Sequence, residues 1–179
     1  MNIRKPRRLE RSVIYVSDWV DLYADRVEFP DGRIIDRHHI LEFHHDFIGA
    51  VVENDEGKIL FVQAYRYPLD SLEWEIPTGR VEDGETLIKG AQREVLEESG
   101  YETTDHKLIY TFNPINGISA KRFHVVTCRP GLKLGEFDRN EIRAVRWTEK
   151  EEIGRLIRNR VLKDGFTLTA LLLYLNGME

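Results

Sequence analysis

Cysteine is almost missing. Cys128 is the one thiol among 179 residues, which excludes an intramolecular disulfide framework and fits a reducing, cytoplasmic compartment. Long hydrophobic runs are missing as well: the longest, Ala170–Leu175, falls far short of the roughly 20 apolar residues of a membrane-spanning helix. No membrane association is expected. The basic start, with Arg4, Lys5, Arg7, Arg8 and Arg11, leads into no apolar stretch, so it reads as a solvated tail and not as a secretory signal. Nor is there an excess of positive charge. The 26 basic and 31 acidic residues leave −5, which argues against nucleic acid as a partner. Internal repeats and low-complexity segments do not occur, so a solenoid is excluded. What is present, 41% hydrophobic and 32% charged residues, is the mix of a globular domain with one core.

The first third reads as strands. Ser12–Ser17, Trp19–Phe29 and Arg33–His44 are rich in Val, Ile, Tyr and Phe, and Pro30-Asp31-Gly32 parts the last two as a hairpin turn. Phe47–Glu53 and Lys58–Tyr65 follow, joined across Asn54-Asp55-Glu56-Gly57. The period then changes. Leu87, Ile88, Ala91 and Val95 recur at helical spacing over Glu85–Ser99, with Gly100 as the stop. Further strands are expected at Lys107–Phe112, Arg122–Cys128 and Ile142–Trp147. Thr148 with Glu151 has the form of a capping box for a helix to about Asn159. An apolar helix over Leu168–Leu175 closes the chain. Strands, helix, strands and helices in that order define an α+β fold with a mixed sheet between helices. A boundary falls near His45, giving an antiparallel β arm over residues 1–45 and a larger domain over 46–179.

Chemistry concentrates between Gly79 and Tyr101. On a helix turning about 100° per residue, Glu97 and Glu98 are the i+3 and i+4 neighbours of Glu94, beside the core stripe of Leu87, Ala91 and Val95. Clustered carboxylate oxygens are what Mg²⁺ or Mn²⁺ takes as ligands. Gly79, Gly84 and Glu85 precede them in a turn-rich loop that can fold back, and Arg93 supplies a forked cation able to pin an acid. The pairs His38-His39 and His44-His45 are not read as a metal site, because neighbours on a strand point to opposite faces. Cys128, in an apolar strand, reads as a core residue.

This stretch resembles the Nudix box, with Gly79, Glu85, Arg93, Glu94, Val95, Glu97, Glu98 and Gly100 in the family's positions and Tyr101 where an aliphatic is usual. Apart from Val95, where the pattern asks only for an aliphatic, these are seven fixed residues, which at roughly 7% usage each coincide by chance on the order of once in 10⁸ trials. The resemblance continues in Gln63–Pro68 and Trp74–Gly79, which are similar to the ADP-ribose pyrophosphatase branch of the Nudix hydrolases. The first strands, with Trp19 and Pro30-Asp31-Gly32, look like that branch's β arm. In the family the arm often packs across a homodimer. A Nudix-type α/β/α sandwich is therefore implied.

The resemblance further implies metal-dependent hydrolysis of a nucleoside diphosphate linked to a second moiety, with ADP-ribose the leading substrate and AMP and ribose 5-phosphate the products. Carried over by position, Glu94 and Glu98 are the principal metal ligands, Glu97 assists, and the carbonyl of Thr78 is a further oxygen. Glu85 supports the loop. Arg66 contacts substrate phosphate, Glu75 orients Arg66 or bridges to substrate, and Trp19, ahead of Tyr15 and Tyr23, is the candidate to stack on the base. The general base stays open. Glu98 is one candidate; in the loop Leu134–Glu141 the first choice is Glu141, then Asp138, with Glu136 also present. One departure bears on the substrate: where the branch has a proline and a Ser-x-Glu, this chain has Asn116, with Pro114 two residues earlier, and Ser119-Ala120-Lys121. GDP-mannose, another nucleotide sugar and a nucleoside triphosphate are the alternatives. A non-catalytic nucleotide-sugar-binding module is the alternative from outside the enzymes.

Overall fold

The computed structural model describes residues 4–178; residues 1–3 and 179, the outer ends of the two expected domains, lie outside it. The chain divides into two compact units, one of residues 4–46 with Asn113–Arg122, the other of Phe47–Phe112 with residues 123–178.

The first unit is an antiparallel sheet in the order β1-β2-β3, from β1 (Arg7–Tyr15), β2 (Val20–Glu28) and β3 (Ile34–Phe43). The expected solvated tail is thus a strand from Arg7 on. Cross-strand ion pairs explain this. Arg7 reaches Glu28 at 2.8 Å, and Arg11 forks onto Asp25 at 2.8 and 2.9 Å while stacking over Tyr23. The turn at Pro30–Gly32 forms because Gly32 takes φ 87° and the Asp31 carboxylate accepts from the Arg33 N–H. Asn113–Arg122 joins this unit through the Leu41 N–H, which donates to the Ile118 carbonyl, and through Arg122, which pairs with Asp46.

The second unit holds two sheets. A mixed sheet runs β7-β4-β9-β8, from β4 (Phe47–Val52), β7 (Thr78–Arg80), β8 (Tyr101–Phe112) and β9 (Phe123–Lys133), with β4 and β9 parallel. An antiparallel sheet runs β10-β5-β6, from β5 (Ile59–Arg66), β6 (Ser71–Glu75) and β10 (Ile142–Thr148). Strand β4 is apolar on both faces. Ile48, Ala50 and Val52 meet Ala91 and Val95 of helix α1 (Leu87–Ser99), whereas Val51 packs in the cluster of Ile153, Ala170 and Leu171. Those three belong to α2 (Lys150–Arg158) and α3 (Gly165–Leu175), so the sheet is covered by helices on both faces. The fold is the expected α+β sandwich.

Three local readings change. β6 and β7, which flank Pro77, add to the strands read from the sequence: β6 is short and buries Glu73 and Glu75 in place of Leu72 and Trp74, and β7 is the three residues Thr78–Arg80. Thr148 does not cap α2: Glu149 holds the cap position without a side-chain bond, since Thr148 is spent in β10 opposite Ile59. The last helix starts earlier, at Gly165, because Asp164 caps it by accepting from the Thr167 N–H at 2.7 Å. Cys128 is buried on β9, and burial pushes its thiol up to about 12. No helix of the described residues is long and apolar enough to cross a membrane.

Candidate active site

Helix α1 begins where Thr86 accepts from the Lys89 N–H and ends at Gly100, whose N–H donates to the Leu96 carbonyl. Gly100 sits at φ 78°, and a Cβ there would collide with the Gly135 carbonyl. Glycine is therefore required twice over, once by conformation and once by contact.

Glu94 and Glu98 are both buried, on consecutive turns of α1. Glu98 accepts from the Thr78 N–H at 3.0 Å. Glu94 lies against Gly79, where a Cβ would overlap its carboxylate; the missing side chain of β7 is what lets this acid fit. Glu97 is placed differently from the sequence reading. Its side chain is 55% exposed and turned to Arg93. Helical geometry gives the reason: at about 100° per residue, Glu98 lies about 20° from the centre of the Leu87–Ala91–Val95 stripe and Glu97 about 120° away. Thr78, whose carbonyl the resemblance offers as a metal ligand, donates its N–H to Glu98.

Arg93 ties the acids together. Its Nε and one terminal nitrogen fork onto Glu85 at 3.1 Å each, and that second nitrogen also donates to the Arg80 carbonyl at 2.8 Å. Its other terminal nitrogen reaches Glu94 at 2.7 Å and Glu97 at 3.2 Å. Glu85 in turn accepts from the Glu82 N–H at 3.0 Å, closing the loop ahead of the helix.

Burial raises the Glu94 carboxyl above its ordinary range; Arg93 pulls it down and Glu97 and Glu141 push it up further. Burial pushes Glu98 well above the range, against the Thr78 N–H and the Arg66 charge, which favour the anion. Glu85 is held low by Arg93. In both acids burial outweighs the cations that favour the anion, Arg93 at Glu94 and Arg66 at Glu98.

Arg66, at the end of β5, forks onto the buried Glu75 of β6, with Nε donating to Oε1 at 2.8 Å. Its third nitrogen, Nη1, has no hydrogen bond among the described residues. Glu75 and the nearby Glu98 and Asp164 hold the guanidinium firmly protonated.

The loop Leu134–Glu141 docks on the end of α1, with the Leu134 N–H on the Gly100 carbonyl and the Asp138 N–H on the Glu97 carbonyl, both at 2.9 Å. Asp138 spends its side chain on Asn140, and Glu136 pairs with Arg139. Glu141 is exposed, near enough to Glu94 to act on its charge. Trp19 belongs to the first unit, in the turn before β2, and is 65% exposed. Tyr15 is exposed too, while Tyr23 donates its hydroxyl to Asp21.

Among the described residues, no three His, Cys, Asp or Glu side chains converge on a metal position as they stand. The donor types nevertheless suit a hard divalent cation: two buried carboxylates on one face of α1, with Gly79 leaving the room that Glu94 occupies.

A sandwich of this kind, with an acid-bearing helix after a glycine loop, defines a class, and comparison with known proteins gives its identity. The NUDIX domain model matches residues 43–168, and the chain belongs to the Nudix family. It is a Nudix hydrolase. An ADP-ribose pyrophosphatase of Bacillus subtilis (strain 168) is 29% identical over 174 residues, 96% of this chain and 93% of that protein. A CMP-5'-(N-acetyl-N-hydroxy-3-aminopropyl)phosphonate hydrolase of Streptomyces rubellomurinus is 28% identical over 149 residues, covering 82% and 71%. The crystal structure of an ADP compounds hydrolase superposes with a TM-score of 0.84 over 100% of both chains at 17% identity, a likeness of fold.

Proposed function

We propose that this protein hydrolyses the pyrophosphate bond of a nucleoside diphosphate sugar, with ADP-ribose the leading substrate and AMP and ribose 5-phosphate the products. The observation that carries the reading is the pair of buried acids, Glu94 and Glu98, on one face of α1. Glu94 shares Arg93 with Glu85 and Glu97, and Glu98 accepts from the Thr78 N–H, so two buried carboxylates with this little compensation support a cation from outside the chain. Nudix hydrolases generally need a divalent metal; here we assign Mg²⁺, with Mn²⁺ able to replace it. Glu94 and Glu98 would hold it, with Glu97 and the Thr78 carbonyl as further oxygens. When bound, such an ion neutralises phosphate charge and lowers the pKa of water.

The remaining roles fall to the chain itself. Arg66 binds a phosphate oxygen through its unengaged Nη1 while Glu75 holds the guanidinium plane. Glu141 takes the proton of the attacking water, with Glu98 the alternative base; Asp138 and Glu136 are less suited, since their carboxylates serve the loop. Trp19 stacks on the nucleobase. The exposed Val13 and Tyr15 of β1, with Val16 and Trp19 of the turn that follows, support a homodimer formed through that sheet. The substrate is a small molecule, with neither nucleic acid nor membrane as a partner, and the setting is the cytoplasm.

A second reading, another nucleotide-linked substrate such as GDP-mannose, is favoured by Ser119-Ala120-Lys121 in place of Ser-x-Glu. One panel decides: ADP-ribose, GDP-mannose, UDP-glucose and dATP, each with Mg²⁺ or EDTA, products identified by chromatography. AMP and ribose 5-phosphate, formed with Mg²⁺ alone, are expected. Glu98→Gln abolishes turnover, whereas Glu141→Gln slows it about 10²–10⁴-fold with metal binding kept. Near-full activity of Glu98→Gln, or no product from any substrate, overturns the proposal.

A further inference from the structure

Two contacts of the site lie at the ends of one short crossing. Glu75 ends β6 and holds the Arg66 fork, while Thr78 opens β7 and donates its N–H to Glu98. Only Ile76 and Pro77 lie between them, and there the chain passes from one sheet to the other. A crossing this short has no ladder of its own, so its backbone groups need partners from elsewhere. Pro77 has no N–H, and its carbonyl accepts from the Ala50 N–H at 2.9 Å. Ile76 is fully buried, and its N–H donates to the Thr167 hydroxyl at 3.2 Å.

Thr167 is held in place for this bond. It lies in the first turn of α3, where its own N–H donates to the Asp164 carboxylate at 2.7 Å. A threonine hydroxyl in a helix commonly bonds back to a carbonyl one turn earlier, as Thr169 does to Gly165 at 2.8 Å. Thr167, by contrast, accepts from a backbone group 91 residues away in the chain. The residue is fully buried, so water does not compete for the bond. The same turn of α3 faces the Arg66–Glu75 pair across a cavity of about 280 Å³ lined by Asp164 and Gly165.

We infer that Thr167 is a positioning residue, whose hydroxyl fixes the Glu75–Thr78 crossing and thereby sets both the Arg66–Glu75 fork and the Thr78–Glu98 contact. The inference rests on the proposed function for the roles of those residues. Without the hydroxyl the Ile76 N–H has no partner in the core, and the crossing must shift to relieve it. Glu75 is the next residue on one side and Thr78 the second on the other, so the shift reaches both. A displaced Glu75 no longer fixes the plane of Arg66. A displaced Thr78 withdraws the N–H that favours the Glu98 anion. Thr167 touches neither metal nor substrate and acts only through the backbone.

The test compares Thr167→Val, which keeps the shape and loses the hydroxyl, with Thr167→Ser, which keeps the hydroxyl and loses the methyl group. Both melt below the wild type, one for want of a hydrogen bond and the other for want of buried apolar contact, so melting temperature does not separate them. Two readouts taken well below the melting midpoints do. One is the Mn²⁺ affinity of the protein alone, from electron paramagnetic resonance; the other is KM for ADP-ribose at saturating Mg²⁺. Thr167→Val should bind Mn²⁺ about 10-fold more weakly and raise KM about 10-fold, the effect of one lost hydrogen bond, while Thr167→Ser stays within about 3-fold of the wild type in both. If Thr167→Val does not fold, Thr167→Cys takes its place under the same criteria, because a thiol accepts poorly. A variant without the hydroxyl that matches Thr167→Ser in either readout overturns the inference and leaves the proposed function standing. If the wild type hydrolyses no substrate of the panel, the proposed function falls and the Mn²⁺ readout alone decides the inference; a wild type that also binds no Mn²⁺ overturns both.

Discussion

Replacing Arg93 by methionine removes one guanidinium and leaves three carboxylates facing one another. Arg93 makes five contacts: two to Glu85, one each to Glu94 and Glu97, and one to the Arg80 carbonyl. The side chains of Arg93, Glu85 and Glu94 are 24%, 14% and 11% exposed, whereas Glu97 is half in solvent and its pair counts for little. Breaking a largely buried ion pair from one side costs about 3–5 kcal/mol, because the stranded charge stays buried. For a chain of this length that is roughly 6–20 °C in melting temperature, at about 2–4 °C per kcal/mol. Thermal unfolding in EDTA, followed by circular dichroism, measures it. Adding Glu85→Gln to Arg93→Met should cost less than the sum of the two single changes, because the second removes a charge the first has stranded. Millimolar Mg²⁺ should restore more stability to Arg93→Met than to the wild type, since the added cation meets acids that Arg93 no longer balances. A melting shift under about 2 °C, with additive single and double variants, would refute the reasoning and reduce Arg93 to a surface cation.

Two further expectations concern stability. Gly49→Ala puts a Cβ 2.6 Å from the Phe123 ring and 3.2 Å from the Ile76 side chain, both fully buried. Overpacking of that kind costs about 1–3 kcal/mol and is read from the midpoint of urea unfolding. Asp25, forked by Arg11, has its pKa lowered from the ordinary 3.8 by that hydrogen bond, against the effect of burial. The stabilisation it brings is present above the ordinary value and is lost as pH falls through the lowered one. Asp25→Asn should therefore melt below the wild type at pH 7, with the difference closing at strongly acid pH; an equal gap at both would count against the ion pair.

Residues that act locally were legible in the sequence. Gly57 closes its hairpin at φ 77°, and the Asn54 side chain accepts from the Glu56 and Lys58 N–H groups. The spacing of the box needs only helical geometry and one loop. Pairings between distant segments were not legible. The parallel match of β4 with β9 joins Phe47 to Phe123, and Asn113–Arg122 joins the first unit through a backbone bond from Leu41 and an ion pair from Arg122 to the distant Asp46, neither of which spacing along the chain announces. Thr148 shows a local pattern overruled, because strand β10 claims the residue that a capping box would use.

The acids on α1 stand between these cases. Their spacing put Glu94, Glu97 and Glu98 on one turn, but the centre of the apolar stripe decides which of them is buried, and it favours Glu94 and Glu98. The same rotation turns Glu97 toward solvent, while its place in the last turn of α1 leaves its backbone carbonyl without a helical donor, so that it receives the Asp138 N–H. That contact, with the Leu134 N–H on Gly100 and the contact a Cβ at Gly100 would forbid, holds the loop that carries Glu141 against the end of the helix. Only the glycine leaves a mark in the sequence. Glu141 therefore owes its place beside Glu94 to backbone groups at the end of α1, and a substitution at Gly100 should displace the candidate base while leaving every acid of the box in the chain.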